Sequence, residues 1–191
     1  MEKASTHFVD QSPEIALCLP FVPLLLPNAR VIYMRRHPLA ICFSWLQNAI
    51  EPDRCGFTNE FHLMKEAFII HDRARKLARD ILPEGMMLEV FYEELVENSE
   101  AEIRKMLQHI DMPWDENCLH PEENKGPVTT PSARQVRKGI NRLGVEKWLN
   151  YKSFLEENLL DDPAFKLIVD EFEAERQEYK NKRSPVVLSN A

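Results

Sequence analysis

The sequence predicts an α/β fold in which helices cover a parallel sheet. Two short apolar runs, residues 30–34 and 86–91, have the composition of buried strands. A long helical pattern separates these runs, and further helical patterns flank them. This order is typical of βαβ units, which form parallel sheets. A stable parallel sheet normally has more than two strands, so we expect part of an α/β domain with a helix-rich C-terminal half.

The first half of the chain predicts a broken helix, a strand and two more helices. Pro20 and Pro23 interrupt the apolar run 15–26, so we expect a kinked helix packed on the sheet. Pro38 suits the first turn of a helix over 38–48. Residues 59–82 form an amphipathic pattern, with His71 and Arg75 among the polar residues on the outer faces. The predicted apolar stripe of that helix consists of Leu63, Ala67, Ile70, Ala74, Leu77 and Ile81.

The second half predicts three helices and one long loop. Ser99 and Glu102 have the spacing of a capping box, which opens a helix. Residues 121–139 lack periodicity, and loops of this length in compact domains are usually functional or disordered. Trp148 marks the next helix, and the last helix begins at Pro163 and buries Phe165, Ile168, Val169 and Phe172. We expect a single domain over residues 1–180 and a flexible tail over 181–191.

Composition limits the classes of function. The 191 residues carry a formal net charge of −7, which argues against broad binding of nucleic acid or anionic membranes but permits a local basic pocket. The four cysteines form no CxxC pair and no zinc spacing with the histidines, so we expect free thiols and no metal. The apolar run 15–26 is shorter than the roughly 20 residues that span a bilayer, and no signal peptide is visible. We therefore expect a cytoplasmic protein without a membrane span.

The segment 31–45 contains the strongest functional signal. A buried strand is followed by Arg35 and Arg36, and Pro38 then opens a helix that carries Ser44 about two turns later. Free backbone N–H groups at such a helix start, together with the charge of Arg36, suit an anion such as phosphate. The alternative is that both arginines merely pair with surface carboxylates. We expect His37 to make only local hydrogen bonds at the turn.

Three other segments have side chains that suit the same anion. Tyr92 directly follows the second strand, and Lys147 precedes Trp148. Between them lies VTTPSARQVRKG, which contains a serine, an arginine, a lysine and a glycine. Ammonium, guanidinium and hydroxyl groups are the usual ligands of a phosphate or sulfate dianion. Tyr92 can contact a nucleotide base, or it can be an ordinary packed residue at a strand end.

These segments resemble the C-terminal part of the sulfotransferases that use 3′-phosphoadenosine 5′-phosphosulfate (PAPS). The similarity is greatest to the tyrosylprotein and bacterial tetratricopeptide-associated branch. Three stretches match in the expected order: LLLPNARVIYMRRHPLAICFS, FYEELVENSEAEIRKMLQHIDMPWDENCL and VTTPSARQVRKGINRLGVEKWLNY. The resemblance implies a partial three-layer sandwich like that of P-loop NTPases. It also implies that the chain transfers a sulfuryl group from PAPS to an acceptor hydroxyl or amine.

The resemblance also implies roles for individual residues. Arg36 and Ser44 match the pair that binds the nucleotide 3′-phosphate, and Lys147 matches a catalytic basic residue near the sulfuryl group. The implied cofactor-binding residues are Arg36, Ser44, Tyr92, Ser132, Arg137, Lys138 and Gly139. Because charge develops on the leaving phosphate oxygen, positioned cations should contribute most of the catalysis.

The chain departs from the family pattern near its start. No glycine-containing loop for the 5′-phosphosulfate is visible, and Gln11 stands where the family has a lysine. We therefore expect an N-terminally truncated sulfotransferase domain with poor activity on its own. The alternative is a non-catalytic remnant of the fold that serves as a nucleotide-binding or protein-interaction module. The acceptor stays open among a peptide tyrosine, a carbohydrate and a small molecule, and so does a homodimer.

Overall fold

The computed structural model describes residues 7–12, 14–48, 56–124, 126 and 138–183. In these residues the sheet has two strands, β1 (Val31–Arg35) and β2 (Met87–Phe91), which are adjacent and parallel. Val31 lies opposite Met87, and Arg35 lies opposite Phe91. Both predicted strands and their parallel pairing are confirmed. Their carboxyl ends therefore lie side by side, at one edge of the sheet.

Helices make up most of the remaining described chain. In the first half they are α1 (Ile15–Cys18), α2 (Val22–Leu25), α3 (Pro38–Asn48) and α4 (Phe61–Ile81). In the second half they are α5 (Tyr92–Glu97), α6 (Ser99–His109), α7 (Leu143–Glu146), α8 (Lys152–Leu159) and α9 (Pro163–Arg183). Short 3₁₀ turns occupy Leu19–Phe21, Gly56–Asn59, Glu116–Leu119, Pro121–Glu123 and Lys147–Tyr151. None of the described helices is both long and apolar enough to cross a membrane.

The apolar run near the start is broken at its prolines, as predicted, but half of its residues are exposed. Leu19 and Val22 pack with Ala78 of α4. The exposed apolar residues of the run are Leu17, Phe21, Leu24, Leu25 and Leu26. The prediction of a buried helix is wrong for this part, because one-turn helical pieces present only one side to the sheet.

The long helix α4 faces the core with a different side from the predicted one. Met64, Arg75 and Ala78 are its buried residues, whereas Ile70 and Leu77 of the predicted stripe are about half exposed. Arg75 is turned inward because its guanidinium contacts Glu89 of β2 at 2.7 Å and Asp72 at 2.8 Å. The predicted stripe and the outward position of Arg75 are therefore wrong.

A single apolar cluster joins α3, α4, α8 and α9. Its buried members are Leu39, Ala40, Cys42, Phe43, Met64, Trp148, Leu155, Leu159, Phe165 and Val169. Each large side chain of this kind contributes about 1.5–3 kcal/mol when it is fully buried. The predicted burial of Phe165 and Val169 is confirmed. The cluster fixes α3 against the segment that carries Trp148, and both segments contribute to the wall of the pocket described below.

The end of α9 packs on α6 through charged groups. The predicted capping box is wrong, because Asn98 precedes α6 and Glu102 is fully buried against α9. The Glu102 carboxylate accepts a hydrogen bond from Tyr179 at 2.5 Å and contacts Arg183 at 3.1 Å. Helix α9 extends to Arg183, whereas the sequence predicts a flexible tail from residue 181. Residues 184–191 lie outside the described part of the chain.

Candidate functional site

A cavity of about 540 Å³ lies beside the carboxyl ends of the two strands. Its walls come from the end of β1, from α3, from α5 and from the segment 138–148. All of the predicted site residues that the structure describes line it: Arg36, Ser44, Tyr92, Lys138, Gly139 and Lys147. Ser132 and Arg137 lie outside the described residues. The cavity thus joins segments that are distant in sequence, as predicted for an anion site.

Arg36 is held in place from two sides. Its Nη2 donates a hydrogen bond to the carbonyl of Gly144 at 2.5 Å, and its guanidinium carbon lies 4.9 Å from the centre of the Tyr92 ring. Its Nε is buried and has no hydrogen-bond partner among the residues that the structure describes. Burial lowers the pKa of Arg36 from its ordinary value, yet a guanidinium stays charged at neutral pH. Arg36 therefore offers a fixed positive charge with an unused donor.

Arg35 points away from this cavity although it is the next residue. Its guanidinium contacts Glu175 of α9 at 2.6 Å and lies 4.7 Å from the centre of the Phe91 ring. Neighbouring side chains on a strand point to opposite faces, which separates the two arginines. The carboxylate-pairing alternative therefore describes Arg35, and it does not describe Arg36.

The start of α3 does not present the free amides that we expected. The N–H of His37 donates to Glu93 at 2.9 Å, and the N–H of Leu39 donates to the Nδ1 of His37 at 3.2 Å. The prediction of free N–H groups is therefore wrong at these two positions, because protein groups already cap them. An anion in the cavity must be held mainly by side chains.

His37 makes more than local contacts. Its ring stacks on Trp148 with 4.3 Å between ring centres, and its Nε2 lies 3.4 Å from Glu173 of α9. Burial lowers the pKa of His37 from its ordinary value, which favours the neutral ring. The stack holds Trp148 in the cavity wall, directly after Lys147.

The segment 138–144 folds into a tight loop over Tyr92. Asn141 fixes the loop, because its side chain donates to the carbonyl of Gly139 at 2.9 Å and accepts from the N–H of Leu143 at 3.1 Å. A Cβ atom at Gly144 would collide with the Tyr92 hydroxyl, so only glycine allows this approach. Tyr92 thus contacts both Arg36 and the loop, and its contact with a nucleotide base stays a prediction.

The charged residues of the described cavity lining have one sign. Among the described lining residues, Arg36, Lys138 and Lys147 are cationic, and none is an aspartate, glutamate or histidine. Neither lysine makes an ion pair within the described part of the chain. This arrangement suits a multiply charged anion. The described lining itself includes no carboxylate or imidazole to act as a general base, although the Glu122 carboxylate lies directly against Gly139.

Sequence reasoning missed several lining residues. Gln47 lies one turn beyond Ser44 on α3, and Asn141 and Gly144 belong to the loop. The signal for the loop was present, since an asparagine between Gly139 and Gly144 is typical of a tight turn. The cap that Glu93 provides has no comparable signal, because it depends on the pairing of the two strands.

A second cavity of about 610 Å³ lies along β1. Arg36 lines both cavities. Gln11, Tyr33 and His71 also line the second one, and burial lowers the pKa of His71. Within the described residues, no group of histidines, cysteines and carboxylates is arranged to hold a metal ion.

Comparison with known proteins supports one family. The model of the sulfotransferase family matches residues 1–116. An uncharacterized protein of Aquifex aeolicus is 29% identical over 97% of this chain, and the protein-tyrosine sulfotransferase of Drosophila melanogaster is 27% identical over 68% of it. The chain spans 24% and 27% of these relatives' own lengths. Among solved structures, the sulfotransferase domain from the curacin biosynthetic pathway has the same fold, with a TM-score of 0.65 and 19% identity. That match covers 76% of this chain and 56% of the curacin domain.

Proposed function

We propose that this chain, which belongs to the sulfotransferase family, binds PAPS in the cationic cavity and transfers its sulfuryl group to an acceptor hydroxyl or amine. The observation that carries the proposal is the convergence of Arg36, Lys138 and Lys147 on one cavity. Arg36 and Gly144, which contact each other there, are 108 residues apart in sequence. Such a concentration of cations in a chain of net charge −7 favours a specific anionic ligand.

Different side chains of the cavity bind different parts of PAPS. Arg36 and Ser44 hold the 3′-phosphate, since they project from the end of β1 and from α3 into the same cavity. Lys138 and Gly139 belong to the loop that lines the cavity, and Ser132 and Arg137, which lie outside the described residues, are further cofactor-binding residues in this proposal. Tyr92 keeps Arg36 in place through the contact with its ring.

Lys147 is the catalytic residue in this proposal. In the reaction the acceptor oxygen or nitrogen bonds to sulfur while the bond between sulfur and the phosphate oxygen breaks, so negative charge develops on that oxygen. A positioned ammonium group stabilises this charge, and the loss of one such donor typically costs about 10²–10³ in rate. Lys147 precedes the anchored Trp148 and lines the cavity, which suits this role.

The alternative is a module that binds the nucleotide without turnover. It uses the same cavity, and one observation favours it: the described lining residues include no carboxylate or imidazole that can take the acceptor's proton. Gln11, which stands where the family has a lysine, also favours the binding module. The two functions differ in the reaction and share the ligand, so binding and transfer must be measured separately.

Binding is tested with adenosine 3′,5′-bisphosphate and the Arg36→Ala variant in calorimetric titrations. A hydrogen bond to a charged group contributes about 1.5–3 kcal/mol, which predicts a loss of roughly ten- to a hundred-fold in affinity. Arg73→Ala is the matched control, because Arg73 is an exposed arginine of α4 that does not line the cavity. Equal affinities of the unchanged chain and the Arg36 variant would refute the assignment.

Transfer is tested with radiolabelled PAPS and three acceptors: a tyrosine peptide, a glycan and a phenol. We expect slow transfer by the purified chain, because the cavity has the cations but lacks a described base. Tight binding of the bisphosphate without transfer to any acceptor would favour the binding module. Fast turnover would mean that a residue outside the described lining supplies the base.

A further inference from the structure

Two adjacent carboxylates follow β2 and point to opposite sides. Glu93 and Glu94 are each 2% exposed. Glu94 contacts Arg176 at 2.8 Å and Lys180 at 3.3 Å, both on α9. Glu93 instead accepts the N–H of His37 at 2.9 Å, which ties the end of β2 to the start of α3. One carboxylate therefore serves the helix packing, and the other lies behind the anion cavity.

Glu93 is not neutralised by a direct ion pair with any described residue. Within the same part of the chain its Oε2 is buried without a hydrogen-bond partner, and the same holds for the Nε of Arg36. Glu93 makes no ion pair with a cation of the described chain. Its charge is balanced by two weaker sources, the positive end of α3 and the nearby Arg36. The attraction between Glu93 and Arg36 also raises the pKa of Arg36 and partly opposes the effect of burial.

We propose that Glu93 is a positioning residue that aims Arg36 into the cavity and, through its charge, limits how tightly the cavity holds an anion. This inference rests on the proposed binding of a nucleotide anion. The hydrogen bond to His37 fixes the backbone immediately after Arg36. The Glu93 carboxylate lies 2.9 Å from the backbone nitrogen of the residue that follows Arg36, so its negative charge repels the same phosphate that Arg36 attracts.

A moderate affinity of the cavity for the bisphosphate product would favour its release after transfer. The bisphosphate left after transfer is itself a multiply charged anion that the cations of the cavity attract, and it must leave before the next turnover. Product release limits the rate of many enzymes. A buried carboxylate behind the main cation weakens the retention of the product without occupying the cavity.

The two effects of Glu93 can be separated by substitution. Glu93→Gln keeps an oxygen that accepts the His37 N–H and removes the charge. Glu93→Asp keeps the charge but shortens the side chain, so that the hydrogen bond is lost. We expect Glu93→Gln to bind adenosine 3′,5′-bisphosphate about 3- to 10-fold more tightly, as a Coulomb interaction at high effective dielectric constant predicts. We expect Glu93→Asp to bind it less tightly than the unchanged chain.

Glu94→Gln is the matched control. Glu94 is equally buried and adjacent, but it faces α9, so its variant should lower the melting temperature and leave the bisphosphate affinity within about twofold. Calorimetric titration and thermal unfolding of the unchanged chain and the three variants complete the experiment. A purely structural role of Glu93 would change the melting temperature and would not tighten binding.

Each remaining outcome has one meaning. Equal or weaker binding by Glu93→Gln, or a Glu93→Gln chain that does not fold, overturns the inference, because the amide preserves the hydrogen bond. An equal gain in affinity by Glu94→Gln also overturns it, since the effect would then be general. If the unchanged chain does not bind the bisphosphate, the proposed function fails and the inference fails with it. If the unchanged chain binds and the Glu93 variants match it, only the inference fails.

Discussion

The side of the molecule that faces α9 and the side that faces the cavity use the same residue types in opposite ways. Toward α9, Arg35 contacts Glu175 at 2.6 Å and Arg176 contacts Glu94 at 2.8 Å. Toward the cavity, Arg36 donates to a backbone carbonyl, and no carboxylate lines the described wall. Buried charges that are paired hold elements together, whereas cations gathered without partners are typical of a ligand site.

Residues that are adjacent in sequence face different sides of the molecule. Arg35 and Arg36 at the end of β1 point to different sides, and so do Glu93 and Glu94 after β2. Side chains alternate along extended backbone, which separates Arg35 from Arg36. Consecutive residues of a helix are rotated by about 100°, which separates Glu93 from Glu94 in α5. The role of a charged residue beside a strand end therefore depends on the direction of its side chain as well as on its identity.

The largest effect should follow from breaking a paired charge on the scaffold. Arg75→Met removes a guanidinium that contacts Glu89 and Asp72 and leaves both carboxylates without that partner. Loss of one member of a buried ion pair typically costs about 3–5 kcal/mol. We expect a loss of this size in the free energy of unfolding, measured by urea denaturation. A loss below about 1 kcal/mol would mean that these charges are not part of the scaffold.

A smaller effect, confined to the cavity, should follow from Gly144→Ala. The added methyl group would collide with the Tyr92 hydroxyl. The loop would then move away from Arg36, and the hydrogen bond from Arg36 to the Gly144 carbonyl would weaken. Overpacking typically costs about 1–3 kcal/mol, and we expect most of it to appear as weaker binding of adenosine 3′,5′-bisphosphate. Gly56→Ala is the control, because a Cβ atom at Gly56 meets no atom within 4 Å. Unchanged binding by the Gly144 variant would contradict the proposed closure of the loop on Arg36.

The smallest effect is the change of stability with pH that His37 should cause. Its ring stacks on Trp148, between the two regions. Burial lowers the pKa of His37, so below about pH 6.5 the unfolded chain takes up this proton more readily than the folded one. Stability should therefore fall as the pH drops through this range, and a difference of one between the folded and unfolded pKa values corresponds to about 1.4 kcal/mol. His37→Asn keeps a capping group for α3 and removes the titration. Melting temperatures between pH 5 and 7.5 should depend less on pH in the variant, with His71 contributing the remainder; an identical slope in both chains would contradict this assignment.

The sequence predicted what local patterns determine. Both strands, α3 and the position of Arg36 follow from apolar runs, Pro38 and the order of the elements. The rotation of α4 was not predictable, because Arg75 is buried by Glu89 on a distant strand, and helical periodicity treats arginine as a surface residue. The capping of α3 by Glu93 depends on the strand pairing in the same way. Contacts of this kind join residues that are distant in sequence, so they can be identified only in the folded structure.

A crystal structure of the chain with adenosine 3′,5′-bisphosphate is the most direct test of the central claim. We predict a phosphate oxygen within about 3.2 Å of an Arg36 guanidinium nitrogen, with Ser44 and Lys138 as further ligands and Arg35 still paired with Glu175. A nucleotide bound along the second cavity, or one whose phosphates contact neither Arg36 nor Lys138, would contradict the account.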